Sequence, residues 1–117
     1  MPFMSAITTH VLDIAGGHPA PGVNVTLERR NAGNAWEVVG RGATDHDGRL
    51  RALMPESHPA TPGTYRLTFD TGSYFGSRGI RSFYPQVAVT FEIVQGEPHP
   101  HVPLLVSPYG YTTYRGS

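Results

Sequence analysis

The stretch "QVAVTFEIV", residues 86–94, alternates apolar and polar side chains with a period of two. Val87, Val89, Phe91 and Ile93 project to one side of the chain, and the residues between them project to the other. This pattern is typical of a β-strand with one buried face. A strand of this kind needs a partner layer that covers its apolar side.

The same alternation recurs along the chain, in short runs separated by glycine and proline. The 14 Gly and 11 Pro leave little room for long helices. The predicted strands are, in order, 7–13, 23–30, 36–44, 49–54, 64–70, 86–94, 101–107 and 109–114. About eight short strands with one apolar face each predict an all-β fold, a two-sheet antiparallel β-sandwich.

The connections carry turn signals. "DHDG", residues 45–48, contains an Asp-Gly pair and predicts a tight hairpin between the third and fourth strands. "GGHPAPG", residues 16–22, links the first two strands. Residues 71–80 have room for one short helix, although their glycines disfavour it.

Composition limits the classes of function. At 117 residues the chain is predicted to be a single domain, 1–117. Its formal net charge of zero gives no electrostatic reason to expect nucleic acid or membrane as a partner. There is no Cys, which excludes disulfides and thiolate catalysis. With no secretory signal and no spanning apolar run, a soluble, cytoplasmic protein is expected.

Three histidines are candidates for chemistry. His10 lies on the first strand, on the face opposite Ile7, and alone it is most simply a half-exposed strand histidine. His99 and His101 form an H-x-H pair, so a zinc site completed by His10 is one alternative. Pro100 separates the pair and no carboxylate accompanies it, so we predict no metal.

"TDHDGR", residues 44–49, superficially resembles a calcium loop. With Gly48 at the sixth loop position, the first and twelfth positions would be Ala43 and Met54, whose side chains cannot bind calcium. A turn is the better interpretation, with Arg49 at a solvated strand end. By residue type alone, histidines with an arginine favour either metal-free acid–base chemistry or a ligand-binding sandwich without catalysis.

Three segments together resemble the 5-hydroxyisourate hydrolase branch of the transthyretin-like family. They are "THVLDIAGGHPAPGVNVTL" (9–27), "TDHDGRL" (44–50) and "HVPLLVSPYGYTTYRGS" (101–117). The first resembles the family's opening strand and its V-L-D-x-x-x-G-x-P-A turn. The last resembles its closing signature and terminal Tyr-Arg-Gly-Ser, which transthyretin itself, the hormone carrier, lacks.

The resemblance implies a set of site residues. The catalytic positions correspond to His10, Arg49, His101 and Ser117, and the substrate-binding positions correspond to Tyr114, Arg115 and Gly116. One departure is Pro100, which stands where the family commonly has a bulky residue such as Tyr before the second histidine. No role is implied for His99.

The resemblance also implies an activity and an assembly. The activity is hydrolysis of 5-hydroxyisourate to 2-oxo-4-hydroxy-4-carboxy-5-ureidoimidazoline in urate degradation, without a cofactor. The assembly is a homotetramer, a dimer of dimers with sites where subunits meet. The alternative is a non-catalytic, transthyretin-like carrier of a small aromatic ligand.

Overall fold

The computed structural model describes residues 6–54, 60–96 and 99–116. Within these ranges the chain forms nine strands and one helix. They are β1 (Thr8–Asp13), β2 (His18–Pro19), β3 (Asn24–Arg30), β4 (Trp36–Ala43), β5 (Arg49–Leu50), β6 (Gly63–Phe69), α1 (Thr71–Gly76), β7 (Val87–Ile93), β8 (His101–Ser107) and β9 (Gly110–Thr113). No helix of the described chain is long and apolar enough to cross a membrane.

The strands form two sheets, which confirms the predicted all-β sandwich. Sheet A has the order β2-β1-β8-β9, with β5 also paired to β1, and sheet B has the order β4-β3-β6-β7. All pairs are antiparallel except β1 and β8, which run parallel. The parallel pair brings the first and the eighth strands of the chain side by side.

The alternation seen in the sequence defines the core. Along β1, Thr9, Val11 and Asp13 are buried while Thr8, His10 and Leu12 are half-buried on the other face. Strands β3, β6 and β7 turn their predicted apolar faces inward in the same way. The inward apolar side chains of both sheets meet in one cluster, and their burial supplies the main driving force for this fold.

Helix α1 occupies part of the stretch predicted to hold a short helix. Asp70 caps it by accepting a hydrogen bond from the N–H of Ser73. The hydroxyl of Tyr74 donates to the buried carboxylate of Asp13 at 2.8 Å. Burial, reinforced by this carboxylate, raises the pKa of Tyr74 to about 12. The contact fixes the helix against the end of β1.

The Asp-Gly turn forms, but the hairpin predicted around it is wrong. The N–H of Gly48 donates to the carbonyl of Asp45, and Gly48 has the positive φ of 76° that glycine tolerates. The strands on either side then separate, because β4 belongs to sheet B whereas β5 pairs with β1 in sheet A. The predicted strand 49–54 is correspondingly short, at Arg49–Leu50.

Candidate active site on the outer face of sheet A

The outer face of sheet A gathers the predicted site residues from three strands. The parallel register places His101 beside Thr8 and Pro103 beside His10. The antiparallel register of β5 places Arg49 opposite His10. Residues paired across neighbouring strands project to the same face, so the two histidines and Arg49 share one surface.

The turn before β5 determines where Arg49 lies. The carboxylate of Asp45 accepts hydrogen bonds from the N–H groups of Asp47, at 2.9 Å, and of Arg49, at 3.0 Å. The bond from the Arg49 N–H is the main reason why the pKa of Asp45 lies below its ordinary value. The carboxylate therefore stays ionised and keeps the turn closed over a wide pH range.

Gly48 docks this turn onto β1. Its carbonyl accepts from the N–H of Val11 at 2.7 Å. A Cβ atom at this position would overlap the carbonyl oxygen of Val11, so only glycine permits the close approach. Turn and strand therefore form one unit, which holds Arg49 in register with His10.

The same turn holds the ring of His10. Its Nε2 lies 2.9 Å from the carbonyl oxygen of Asp47. A carbonyl oxygen can only accept, so Nε2 carries the hydrogen and the neutral ring keeps its lone pair on Nδ1. The orientation and the tautomer of His10 are thus set by a backbone atom.

His101 is held by a side chain instead. Its Nδ1 lies 2.8 Å from the hydroxyl oxygen of Thr8. Burial lowers the pKa of His101 below the ordinary imidazole value of about 6.5, and the nearby charges of His10 and Arg49 lower it further. A hydrogen bond with the backbone of Thr8 opposes this shift. The net effect favours a neutral imidazole at neutral pH.

The C-terminal tail returns to His101 after β9. The N–H of Gly116 donates to the carbonyl of His101 at 2.8 Å, and the two residues form an isolated antiparallel bridge. A Cβ atom on Gly116 would lie 2.6 Å from Cδ2 of the His101 ring. Glycine is therefore required for the tail to pass the imidazole. The predicted site residue Ser117 lies outside the described residues.

A groove of about 300 Å³ lies beside His101, between β8, the tail and β7. Tyr114 and Arg115 form one wall, and both are exposed. Phe91 and Ile93 contribute an apolar wall from sheet B. The volume is at the lower end of the range for small-molecule pockets. His10 and Arg49 do not line this groove, so it adjoins the histidine–arginine surface rather than containing it.

The three histidines considered from the sequence as zinc ligands do not come together. In the described parts of the chain, the ligand atoms of His10, His99 and His101 do not converge as a metal-binding group. The group that does converge is Asp45, His46 and Asp47, which are all exposed. Two of these three residues already serve the turn through hydrogen bonds, and exposed acidic groups commonly occur without an ion.

Two contributors were missed in the sequence. Thr8 stands two residues before His10, and strand alternation alone places both on one face, so the signal was present. The carbonyl of Asp47 could not have been predicted, because every residue has a backbone carbonyl and the sequence does not show which one contacts His10. Of the predicted residues, the structure places His10, Arg49 and His101 on one face of sheet A and brings the tail residue Gly116 to His101.

Comparisons with known proteins identify the family that this chain resembles. The sequence model of the HIUase/Transthyretin family matches residues 7–116. The 5-hydroxyisourate hydrolase of Salmonella typhimurium is 50% identical over 111 residues, which span 95% of this chain and 80% of the relative. The structure of Klebsiella pneumoniae 5-hydroxyisourate hydrolase superposes with a TM-score of 0.84 at 38% identity, covering 97% of this chain and 100% of that one. Sea bream transthyretin in complex with thyroxine gives a TM-score of 0.88 at 30% identity, covering 95% and 94%.

Proposed function

The chain belongs to the HIUase/Transthyretin family, and with that as the premise we propose how it hydrolyses 5-hydroxyisourate. The protein is a hydrolase of urate degradation, as the names of its relatives indicate. The observation that carries the mechanism is the convergence of two histidines and one arginine on the outer face of sheet A.

Arg49 binds the substrate and stabilises charge. The substrate is a flat, polar heterocycle, and the planar guanidinium can donate two parallel hydrogen bonds to its oxygens. As water attacks the ring carbonyl, negative charge develops on the carbonyl oxygen, and a fixed cation beside it lowers the barrier. The docked turn supports this role because it holds the backbone of Arg49 in place.

His101 exchanges protons with water and with the leaving nitrogen. Its lowered pKa keeps the imidazole neutral, and its Nδ1 is occupied by Thr8, which leaves Nε2 to act. Nε2 takes a proton from the attacking water as the new C–O bond forms. It then returns a proton to the ring nitrogen as the amide C–N bond breaks, so no net proton is consumed.

His10 assists from the neighbouring strand. Its Nε2–H is committed to the carbonyl of Asp47, so its free Nδ1 is positioned as an acceptor for water or a substrate N–H. No cofactor enters this mechanism, since water is the nucleophile and side chains carry the protons.

The tail closes the site. Tyr114 and Arg115 border the groove beside His101 and are proposed to contact substrate. Gly116 holds the tail to His101 through its N–H. Ser117 is proposed to orient water or substrate through its hydroxyl or its carboxylate, a role that rests on the family resemblance. The cytoplasmic location stays a prediction from the sequence.

We further propose that the protein assembles as a homotetramer with sites at subunit interfaces. Among the described strands, β7 and β9 are sheet edges whose outer backbone groups are open to pairing with a second copy. Aromatic side chains are exposed beside them, including Phe83 and Tyr109, each with 68% of its surface accessible. Exposed aromatic rings near open sheet edges favour a protein interface.

The alternative is a carrier that binds a small aromatic ligand without turnover. The match to sea bream transthyretin in complex with thyroxine is the observation that favours this alternative. Ultraviolet absorbance of 5-hydroxyisourate, freshly made from urate by urate oxidase, separates the two. Decay should be faster with the full chain than in buffer. A chain that ends at Thr113 should lose this acceleration, because it lacks the tail that bridges to His101.

Light scattering of both chains provides the control. The truncated chain tests the role of the tail only if it is folded and assembles with the same number of subunits as the full chain. Decay no faster than in buffer, from a folded full-length tetramer, would exclude the hydrolase and leave the carrier.

A further inference from the structure

The two site histidines are held by partners of different chemical kinds. His10 donates to the carbonyl of Asp47, which can only accept. His101 contacts the hydroxyl of Thr8, which can accept or donate. The contact with a carbonyl permits only one neutral tautomer of His10. The contact with a hydroxyl is compatible with either neutral tautomer of His101. This difference assigns distinct tasks to the two rings.

Thr8 reaches His101 because their strands run parallel and in register. Its N–H donates to the carbonyl of Pro100 at 3.2 Å, so the backbone of Thr8 is tied to the residue before His101. The side chain is β-branched and on a strand, which restricts its rotation about χ1. Its hydroxyl is therefore held beside Nδ1 by the backbone and not by a flexible side chain.

We propose that Thr8 is a positioning residue for His101, whose hydroxyl accepts from Nδ1–H and leaves Nε2 as the ring nitrogen that faces the reaction. This rests on the proposed hydrolase function. When Nε2 takes a proton from water, the imidazolium has an N–H on both nitrogens, and the hydrogen on Nδ1 keeps its acceptor. Thr8 neither gains nor loses a proton during the cycle.

The residue before His10 offers a matched control. Thr9 is also a strand threonine, but it projects inward, and its hydroxyl donates to the carbonyl of Val102 at 2.6 Å. Removing either hydroxyl changes the chain by the same atoms. Only the loss of the Thr8 hydroxyl removes a partner of His101, while the other charged groups that act on this ring, His10 and Arg49, remain in both variants.

The test compares Thr8→Val, Thr8→Ser and Thr9→Val, with Thr8→Ala in place of the valine variant if that variant does not fold. Thr8→Val should lower kcat about three- to tenfold, the effect of one hydrogen bond, with KM within about twofold. Its acid limb of kcat should move to lower pH, because the imidazolium loses the hydroxyl of Thr8 as an acceptor and keeps only the backbone of that residue. Thr8→Ser should retain kcat within about twofold.

Thr9→Val should keep kcat and the pH profile while its Tm falls, because a buried hydrogen bond is lost. A Thr8→Val enzyme with unchanged kcat and pH profile would overturn the proposal. So would a Thr8→Ser enzyme that is as slow as Thr8→Val, since then the hydroxyl is not what matters.

Nitrogen-15 NMR of the His101 ring gives a readout that does not depend on turnover. The wild type and Thr8→Ser should share one neutral tautomer, with hydrogen on Nδ1, and Thr8→Val should differ in tautomer or in the pKa of His101. Identical ring spectra and titrations in the wild type and Thr8→Val would overturn the role of Thr8. If the wild type shows no hydrolysis, the proposed function fails, and the NMR comparison alone then decides whether Thr8 holds the ring.

Discussion

The outer faces of the two sheets use charge in opposite ways. On sheet B, Arg66 and Glu28 are cross-strand neighbours and form an ion pair at 2.9 Å. On sheet A, the corresponding surface brings His10, His101 and Arg49 together, all of which carry positive charge when protonated. Opposite charges stabilise a folded face, whereas like charges oppose folding unless the histidines are neutral. The comparison separates a face whose charges stabilise the fold from one that we propose to be the site of catalysis.

The largest expected effect on kcat comes from removing an ionisable side chain from sheet A, and the same change on sheet B is the comparison. His101→Ala should lower kcat by roughly 10²–10⁴, because a general acid–base group is lost. Arg66→Ala on sheet B should leave kcat unchanged and reduce the free energy of unfolding by about 1 kcal/mol or less, as partly exposed ion pairs contribute little. Steady-state kinetics and urea denaturation measure the two effects. Near-full activity in His101→Ala would remove that residue from the mechanism.

A smaller effect is expected where the tail passes His101. In Gly116→Ala the added Cβ meets the imidazole at 2.6 Å, so ring or tail must move. Displacements near 1 Å in a catalytic group lower rates by up to about 10²-fold, so we expect a loss in kcat of roughly 10- to 10²-fold.

Gly110→Ala, at the start of the strand β9 that leads into the tail, is the matched control. A Cβ there meets only the hydroxyl of Ser107, at an ordinary contact distance of 3.7 Å. Its kcat should equal that of the wild type. Equal kcat in both glycine variants would show that the tail does not set the position of the ring.

The smallest effect is a displacement of the pH profile. The proposed mechanism needs neutral His101, and the pKa of this residue lies below the ordinary value because of burial, His10 and Arg49. The acid limb of kcat/KM should therefore have its midpoint below about pH 6.5. Since the folded-state pKa is the lower one, the stabilisation that His101 contributes is complete above about pH 6.5 and is lost as pH falls through the folded-state pKa. An acid limb with its midpoint at or above pH 6.5 would contradict the lowered pKa of His101.

The sequence predicted most of the fold because period-two alternation depends only on local geometry. Strands such as Asn24–Arg30 and Val87–Ile93 lie within the runs predicted for them. The hairpin at Asp45–Gly48 was wrong because a turn motif specifies the direction of the chain over four residues and not the sheet that it enters. The strand His18–Pro19 was missed because two residues carry no alternation.

The site was predicted by a different route. Composition and spacing left acid–base chemistry and simple ligand binding equally open, and the resemblance chose between them. What could not be predicted is how His10, Arg49 and His101 meet, since this depends on the parallel pairing of β1 with β8 and on the docking of Gly48. Contacts between distant parts of a chain are fixed by tertiary packing, which residue type does not reveal.

The parallel pairing of β1 with β8 also determines when the site forms during folding. Sheet B is built from β3, β4, β6 and β7, which follow one another within residues 24–93. The contact of Thr8 with His101 joins residues 93 positions apart. Because distant pairings close large loops, they form late. Synthesis adds the last strand of sheet B before it adds His101, so a chain that ends at Ile93 has every strand of sheet B but lacks one of the two proposed catalytic histidines.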